Sequence, residues 1–169
     1  KGAHFSVKSN LSEAAAREAL ALAEEMHAAF VRETSGVLEA PEDKSPMPIF
    51  LFATHEDYDA HNRTAHGGTI PGSAVGFYSN EDKAAHFWKR EEEGVTPLAH
   101  VVRHECLHQV MDRWIPFEAD PTARPHFWVY EGFARYFESV FNFDGKVLTG
   151  YPRHPPFQVA RSLAAKGKG

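Results

Sequence analysis

Apolar residues in the first part of the chain follow two different periods, which predict strands and a long helix in turn. Residues 4–9 alternate apolar with polar side chains and predict a strand, and the mostly apolar residues 47–54 predict a second, central strand. Between them, apolar residues recur at steps of three and four. This spacing predicts a helix that is capped by a serine or asparagine within residues 9–12 and ends near Glu33.

The next stretch carries polar residues and turn signals that predict a surface helix followed by a hairpin. Residues 55–66 are polar and charged and predict a short helix, after which the glycine-rich residues 67–72 predict a mobile flap. Residues 74–79 and 85–90 predict two strands, joined by a turn at 80–83.

A helix is predicted from Pro97 to Trp114, with clear signals at both ends. Thr96 is a suitable N-cap, Pro97 suits the first helical position, and Pro116 prevents continuation beyond Trp114. One arc of this helix is apolar and is expected to be buried; its residues are Val102, Cys106, Leu107 and Val110.

A second helical segment, 127–138, is rich in aromatic residues and follows a proline-rich connection at 115–126. After it, the pattern predicts a turn at 143–146, a short strand at 147–149 and a last helix at 157–165. The alternation of helices and few strands predicts an α+β fold with a small mixed sheet.

The chain of 169 residues is long enough for one domain with its own core, so we expect a single domain over 1–169. Within it we expect a sheet and long-helix lobe at about 1–95, a helical region at about 96–142 and a C-terminal segment at 143–169. The single cysteine, Cys106, permits no internal disulfide.

Charge and composition argue against several classes of partner. A net charge of -5 does not suggest a nucleic-acid partner, and no apolar run approaches the ~18 residues of a membrane span. The chain begins with Lys1 rather than Met, so we expect a processed or excised form, with a secreted or periplasmic location slightly favoured. The sequence leaves the oligomeric state open.

One motif in the sequence indicates a chemical function. It is H-E-x-x-H, formed by His104, Glu105 and His108 within the predicted 97–114 helix. One helical turn separates the two histidines, so both imidazoles can bind one tetrahedral cation, and Glu105 lies about 100° away around the axis, where it can serve as a general base. The motif alone also arises by chance on amphipathic helices. Glu131, in the second helical segment, supplies the third ligand that a catalytic zinc needs.

The H-E-x-x-H motif followed by W-x-x-E-G-x-x-x-Y-x-E resembles the gluzincin superfamily of metallopeptidases, in particular the aminopeptidase N side and the peptidase MA-like bacterial domains. The matching residues are His104, Glu105, His108, Trp128, Glu131, Gly132, Tyr136 and Glu138. The resemblance implies a zincin-like fold, with an edge strand over the HExxH helix and a second helix that carries the glutamate ligand. It also implies a peptide or protein substrate that binds along the edge strand.

The sequence departs from this family in two places. Thermolysin-like enzymes carry an aspartate four residues after the glutamate ligand, where this chain has Arg135. Asp112 is then a candidate to brace His108, with a solvated helix-end acid as the alternative. The exopeptidase signature G-x-M-E-N is absent, so recognition of a free amine is not predicted.

These residues predict a zinc metallopeptidase in which Zn²⁺ is bound by His104, His108 and Glu131, and Glu105 is the general base of a zinc-activated water. Tyr151 is the candidate oxyanion donor, because Tyr130 is expected only at the rim and Tyr136 in the core. His154 and His126 are the alternatives to Tyr151. The competing hypothesis is a catalytically weak or inactive metal-binding module that recognises peptides.

A second metal site at His55, His61 and His66 is a further hypothesis. Their spacing contains no i, i+4 pair and no cysteine joins them, so the sequence favours a solvated polar segment.

Overall fold

A computed structural model of the chain describes residues 1–68, 74–90, 97–115, 127–151 and 155–165. In chain order its elements are β1 (Phe5–Ser9), α1 (Glu13–Thr34), β2 (Met47–Phe52), α2 (His55–His66), β3 (Gly76–Ser79), β4 (Ala84–Trp88), α3 (Leu98–Trp114), α4 (Phe127–Phe137), β5 (Phe141–Phe143), β6 (Lys146–Leu148) and α5 (Pro155–Ala165).

Four strands form a mixed sheet in the order β1-β2-β4-β3. The pairs β1–β2 and β2–β4 are parallel, whereas β3 pairs antiparallel with β4 and forms one edge of the sheet. The prediction that β2 is central is therefore confirmed. Gly76 in β3 has no room for a side chain, since an added Cβ would lie 2.4 Å from the ring of Phe87.

Helix α1 begins after Ser12, whose hydroxyl accepts a hydrogen bond from the backbone N–H of Ala15. Its predicted apolar stripe is buried at Ala19, Met26 and Phe30. Each large apolar side chain buried in this way contributes about 1.5–3 kcal/mol relative to exposure. The stripe packs α1 against the sheet and against α3, the helix that contains the H-E-x-x-H motif. Helix α3 therefore lies on the same core as the sheet.

One cluster of buried apolar residues connects the sheet, α1, α3 and α4. Phe5, Leu51 and Phe87 contribute from the strands, while Leu107 and Phe137 contribute from the two helices. The structure is thus a mixed α+β fold in which the predicted lobe and the helical region share a core.

The predicted elements are confirmed with small shifts at their ends. Helix α3 ends at Trp114 as predicted, but it begins at Leu98, and Pro97 occupies the N-cap position rather than the first helical position. Thr96, the predicted cap, and most of the predicted flap at 67–72 lie outside the described residues. None of the described helices is long and apolar enough to cross a membrane.

Candidate metal centre

Helix α3 places His104 and His108 on one side and an apolar surface on the other. Val102, Cys106, Leu107 and Val110 are fully buried, as their helical positions predict. Both histidines are also largely buried, and their ring centroids lie 4.8 Å apart. The apolar packing of α3 therefore fixes the position of two neighbouring imidazoles.

Helix α4 brings Glu131 to these two rings. Its Oε2 lies 3.3 Å from His104 Nε2, and its Oε1 lies 3.2 Å from His108 Nε2. Ligand atoms about 2.1 Å from a tetrahedral zinc are about 3.4 Å from one another, so these separations fit a shared cation. The three predicted ligands thus lie together, and no fourth His, Cys, Asp or Glu of the described residues joins the group.

Three carboxylates surround His104 and favour positive charge there. His104 Nδ1 lies 2.9 Å from Oε2 of the buried Glu138, which also pairs with Arg135 at 3.1 Å. Burial acts to lower the pKa of His104, but hydrogen bonds to Glu131 and Glu138, with the charge of Glu105, raise that pKa to about 9. The same hydrogen bonds from His104 and His108 hold the pKa of Glu131 well below its usual range. Either a proton on His104 or a bound metal cation would balance the negative charge of these carboxylates.

Glu105 lies beside the ligand group without belonging to it. Its Oε2 accepts a hydrogen bond of 3.1 Å from the backbone N–H of Tyr78 in the edge strand β3. Burial raises the pKa of the Glu105 carboxyl, against the opposing effect of the two histidines. A carboxylate with a raised pKa is suited to general-base chemistry.

Asp112 does not brace His108. Its carboxylate accepts hydrogen bonds of 2.8 Å from the hydroxyl of Tyr78 and from Lys83 Nζ, and so ties α3 to the β3–β4 hairpin. Among the described residues, Nδ1 of His108 has no hydrogen-bond partner. The ring of His108 instead stacks on Tyr130 with centroids 4.3 Å apart, and the Tyr130 hydroxyl donates to the His108 carbonyl at 3.3 Å.

The structure does not bring the predicted oxyanion donor to the ligands. Tyr151 is exposed, its ring contacts Phe141, and its backbone N–H donates to Ser139. Its hydroxyl contacts none of the three ligands, so the donor role stays a prediction. The alternatives His126 and His154 lie outside the described residues.

Two aromatic residues of the motif face away from the metal ligands. Tyr136 is exposed and its hydroxyl is 2.9 Å from the Thr149 hydroxyl, so the prediction that it lies in the core is wrong. Trp128 is also exposed and lines an apolar groove with Phe133 at the end of α1. A helical angle alone did not indicate which side of α4 is covered.

Sequence reasoning missed the roles of Glu138, Tyr78 and Tyr130 at this site. Glu138 was detectable, because it follows Glu131 by seven residues, which is two helical turns, and therefore lies on the same side. Tyr78 acts through its backbone N–H and Tyr130 through ring stacking, and no sequence pattern predicts either contact.

The interpretation of residues 55–66 as a solvated polar segment is wrong for His66, which is buried, whereas His55 and His61 are partly exposed. His61 and His66 of α2 lie next to the buried His86 of β4, and one potential ligand atom from each lies within 4.8 Å of the others. His55 is not part of this group; its ring contacts Trp88 and Tyr58.

Comparison of the sequence with protein-family models and with curated proteins gives no match. The interpretation of the centre therefore depends on its own residues and geometry.

Proposed function

We propose that this chain is a zinc-dependent metallopeptidase of the gluzincin type, with a zincin-like arrangement of its helices and edge strand. The observation that carries the proposal is the convergence of His104, His108 and Glu131 at distances of 3.3 and 3.2 Å, with Glu105 adjacent but not in the ligand set. Three protein ligands leave one position of a tetrahedral ion open, as catalytic zinc sites require.

In the proposed hydrolysis, the metal, Glu105 and Tyr78 have different roles. Zinc, when bound, supplies Lewis acidity and lowers the pKa of an adjacent water to about 7. Glu105 accepts a proton from the attacking water, whose oxygen bonds to the amide carbon, and delivers that proton to the leaving nitrogen as the C–N bond breaks. The hydrogen bond from the Tyr78 N–H orients the Glu105 carboxylate.

Glu138 contributes by fixing the ring of His104. A ligating imidazole usually donates its second N–H to a carboxylate, which sets the tautomer and strengthens the ligand. Glu138 Oε2 lies 2.9 Å from His104 Nδ1, so Nε2 faces Glu131 and the proposed metal.

Strand β3 supports a peptide substrate. It is the edge of the sheet and packs on α3. The register with β4, together with the bond from Tyr78 N–H to Glu105, indicates that Gly76 and Tyr78 point backbone groups away from β4. An extended peptide that adds to this edge would pass beside Glu105.

The deciding experiment compares zinc-loaded wild type with Glu105→Gln on a broad peptide library read by mass spectrometry. We expect hydrolysis to fall by ~10²–10⁴-fold, because the general base is lost, while zinc content stays unchanged. Glu18→Gln is the same substitution at an exposed position, and this variant is purified in parallel as the control for contaminating peptidases. Equal cleavage by wild type and Glu105→Gln would refute the proposal.

Tyr151 stays our candidate oxyanion donor within this proposal. We expect Tyr151→Phe to lower kcat with little change in KM or zinc content, because only a transition-state interaction is lost. Activity within about twofold of wild type would instead assign the ring to packing on Phe141.

The alternative function is a metal-binding module that recognises peptides without turnover. The position of β3 at the edge of the sheet, among the described strands, favours it, because strand addition requires no chemistry. If zinc-loaded wild type cleaves nothing in the library but retains peptides, this alternative replaces the peptidase.

A further inference from the structure

Three histidines from α2 and β4 form a compact group on the far side of the β3–β4 hairpin from α3. The ring centroids of His61 and His66 lie 5.1 and 5.0 Å from that of His86. Phe50 and Phe77 stack on the ring of His86, with centroids 5.0 and 4.6 Å away. The imidazoles thus lie in an aromatic enclosure that orients them.

Asp82, in the hairpin turn, places a carboxylate beside two of the three rings. Its Oδ2 lies 3.0 Å from His86 Nε2 and 3.6 Å from His66 Nε2. These separations lie on either side of the ~3.4 Å expected between ligands of a tetrahedral zinc. The carboxylate of Glu81 lies 3.6 Å from the other nitrogen of His66, Nδ1, where it can help to orient the ring.

One ring nitrogen of the group, Nε2 of His61, is buried without a hydrogen-bond partner among the described residues. Buried polar atoms in native proteins are normally satisfied, so this nitrogen indicates a ligand.

We propose that His61, His66 and His86 form a second metal site that binds a divalent transition-metal cation of the zinc class, with the Asp82 carboxylate beside it. Imidazole ligands suit such a cation.

A network of hydrogen bonds and ion pairs around Asp82 is the competing explanation. The Asp82 carboxylate lies near His86 and His66, but it leaves Nε2 of His61 without a hydrogen-bond partner among the described residues. A cation bound by all three rings accounts for His61 as well.

The second site has a structural role. It joins the C-terminal end of α2 to β4, beside the hairpin turn. The hairpin it fixes also contains Tyr78, whose backbone N–H binds Glu105. The proposal does not depend on the peptidase activity.

Zinc stoichiometry tests the site directly. Full-length protein is stripped of metal, loaded with Zn²⁺, freed of excess ion and measured by elemental analysis. We expect two equivalents in wild type and one in His61→Gln/His66→Gln. His55→Gln, the same substitution on the same helix outside the group, is the matched control and should keep two.

The variant His104→Gln/His108→Gln separates the two sites and is expected to retain one equivalent. Wild type with one equivalent that disappears in His61→Gln/His66→Gln would support this site and count against the peptidase centre. Equal zinc content in wild type and His61→Gln/His66→Gln would overturn the proposal.

Two milder variants apply if the double substitution prevents folding, as judged by circular dichroism. His61 is partly exposed and Asp82 lies in a turn, so His61→Gln and Asp82→Asn should fold. Each is expected to weaken zinc binding at the second site at least about tenfold in a chelator competition. Unchanged affinity in both would overturn the proposal.

Discussion

The two histidine groups differ in their surroundings. His104 is held among Glu105, Glu131 and Glu138, and its pKa is raised to about 9. His86 is enclosed by aromatic rings with one carboxylate nearby, and its pKa is lowered to about 4. Acidic surroundings with a general base beside the ligands suit a catalytic metal centre, whereas an aromatic enclosure around histidines from two elements suits a structural one. The same side chain is thus directed to two roles by its neighbours.

The β3–β4 hairpin lies between the two groups and contacts both. On one side, Tyr78 and Lys83 bind Asp112, and Gln109 of α3 donates to the Lys83 carbonyl at 2.7 Å. On the other side, Asp82 contacts His86 and His66. Changes in the hairpin therefore test whether the two groups act independently.

The largest expected effect comes from removing each group in turn. His104→Gln/His108→Gln should lower peptide hydrolysis by more than about 10³-fold, because the metal centre and its use of the general base are lost. His61→Gln/His66→Gln should keep activity within about threefold at 25 °C but lose about 2.7 kcal/mol of zinc-dependent stability at 100-fold excess over Kd. Peptide assays and thermal unfolding with and without zinc measure both. Loss of activity in both variants would refute independent roles.

The next effect concerns the buried carboxylate behind His104. Glu138→Gln should weaken zinc binding at the first centre by about 10-fold to 100-fold, because the amide retains an acceptor but loses the charge that strengthens the imidazole. Chelator competition measures the affinity. Arg135→Gln, which leaves Glu138 in place, is the control and should weaken zinc binding less than Glu138→Gln does. A larger loss of zinc affinity in Arg135→Gln would show that the ion pair between Arg135 and Glu138, and not Glu138 alone, supports the centre.

Gln109 tests the attachment of the hairpin. Its Nε2 donates to the carbonyls of Pro48 and Lys83 at 3.0 and 2.7 Å, and its side chain is buried. Gln109→Met should lower the free energy of unfolding by about 2 kcal/mol, since both carbonyls lose a buried donor. Urea unfolding gives this value. Zinc affinity at the first centre should not change, and a large loss there would show coupling through the hairpin.

The smallest effect is expected for the hydroxyl of Tyr78. Tyr78→Phe removes its hydrogen bond to Asp112 but keeps the backbone N–H that binds Glu105. The free energy of unfolding should fall by about 1 kcal/mol, with hydrolysis within about twofold of wild type. A large loss of activity would show that the side chain, and not the backbone, positions Glu105.

The first centre was predictable from sequence to the extent that its ligands share a local geometry. His104 and His108 lie one turn apart on a helix, and any helix with that spacing brings them together. The prediction of Glu131 as the third ligand required only that a second helix pack back against the first. The same helical period places Glu138 on the side of Glu131, but its contact with His104 was not predicted. Asp112, the candidate brace for His108, instead accepts hydrogen bonds from the hairpin.

The second group was not predictable because its members have no common period. His61 and His66 are five residues apart, about 140° around α2, and His86 comes from a strand 20 positions later. Only the packing of α2 on the sheet directs them to one point. The interpretation of 55–66 as solvated missed the buried His66 for the same reason, since the sequence of a polar helix does not show which of its residues the sheet covers.

The sequence by itself determined the order and ends of most helices and strands and the local geometry of the HExxH motif, because hydrophobic period and capping act over a few residues. Tertiary structure decided the partners of each polar side chain: Glu138 for His104, the Tyr78 N–H for Glu105, and Asp82 with His86 for the histidines of α2. These contacts join residues 4 to 34 positions apart, and most depend on how separate elements pack on the shared core.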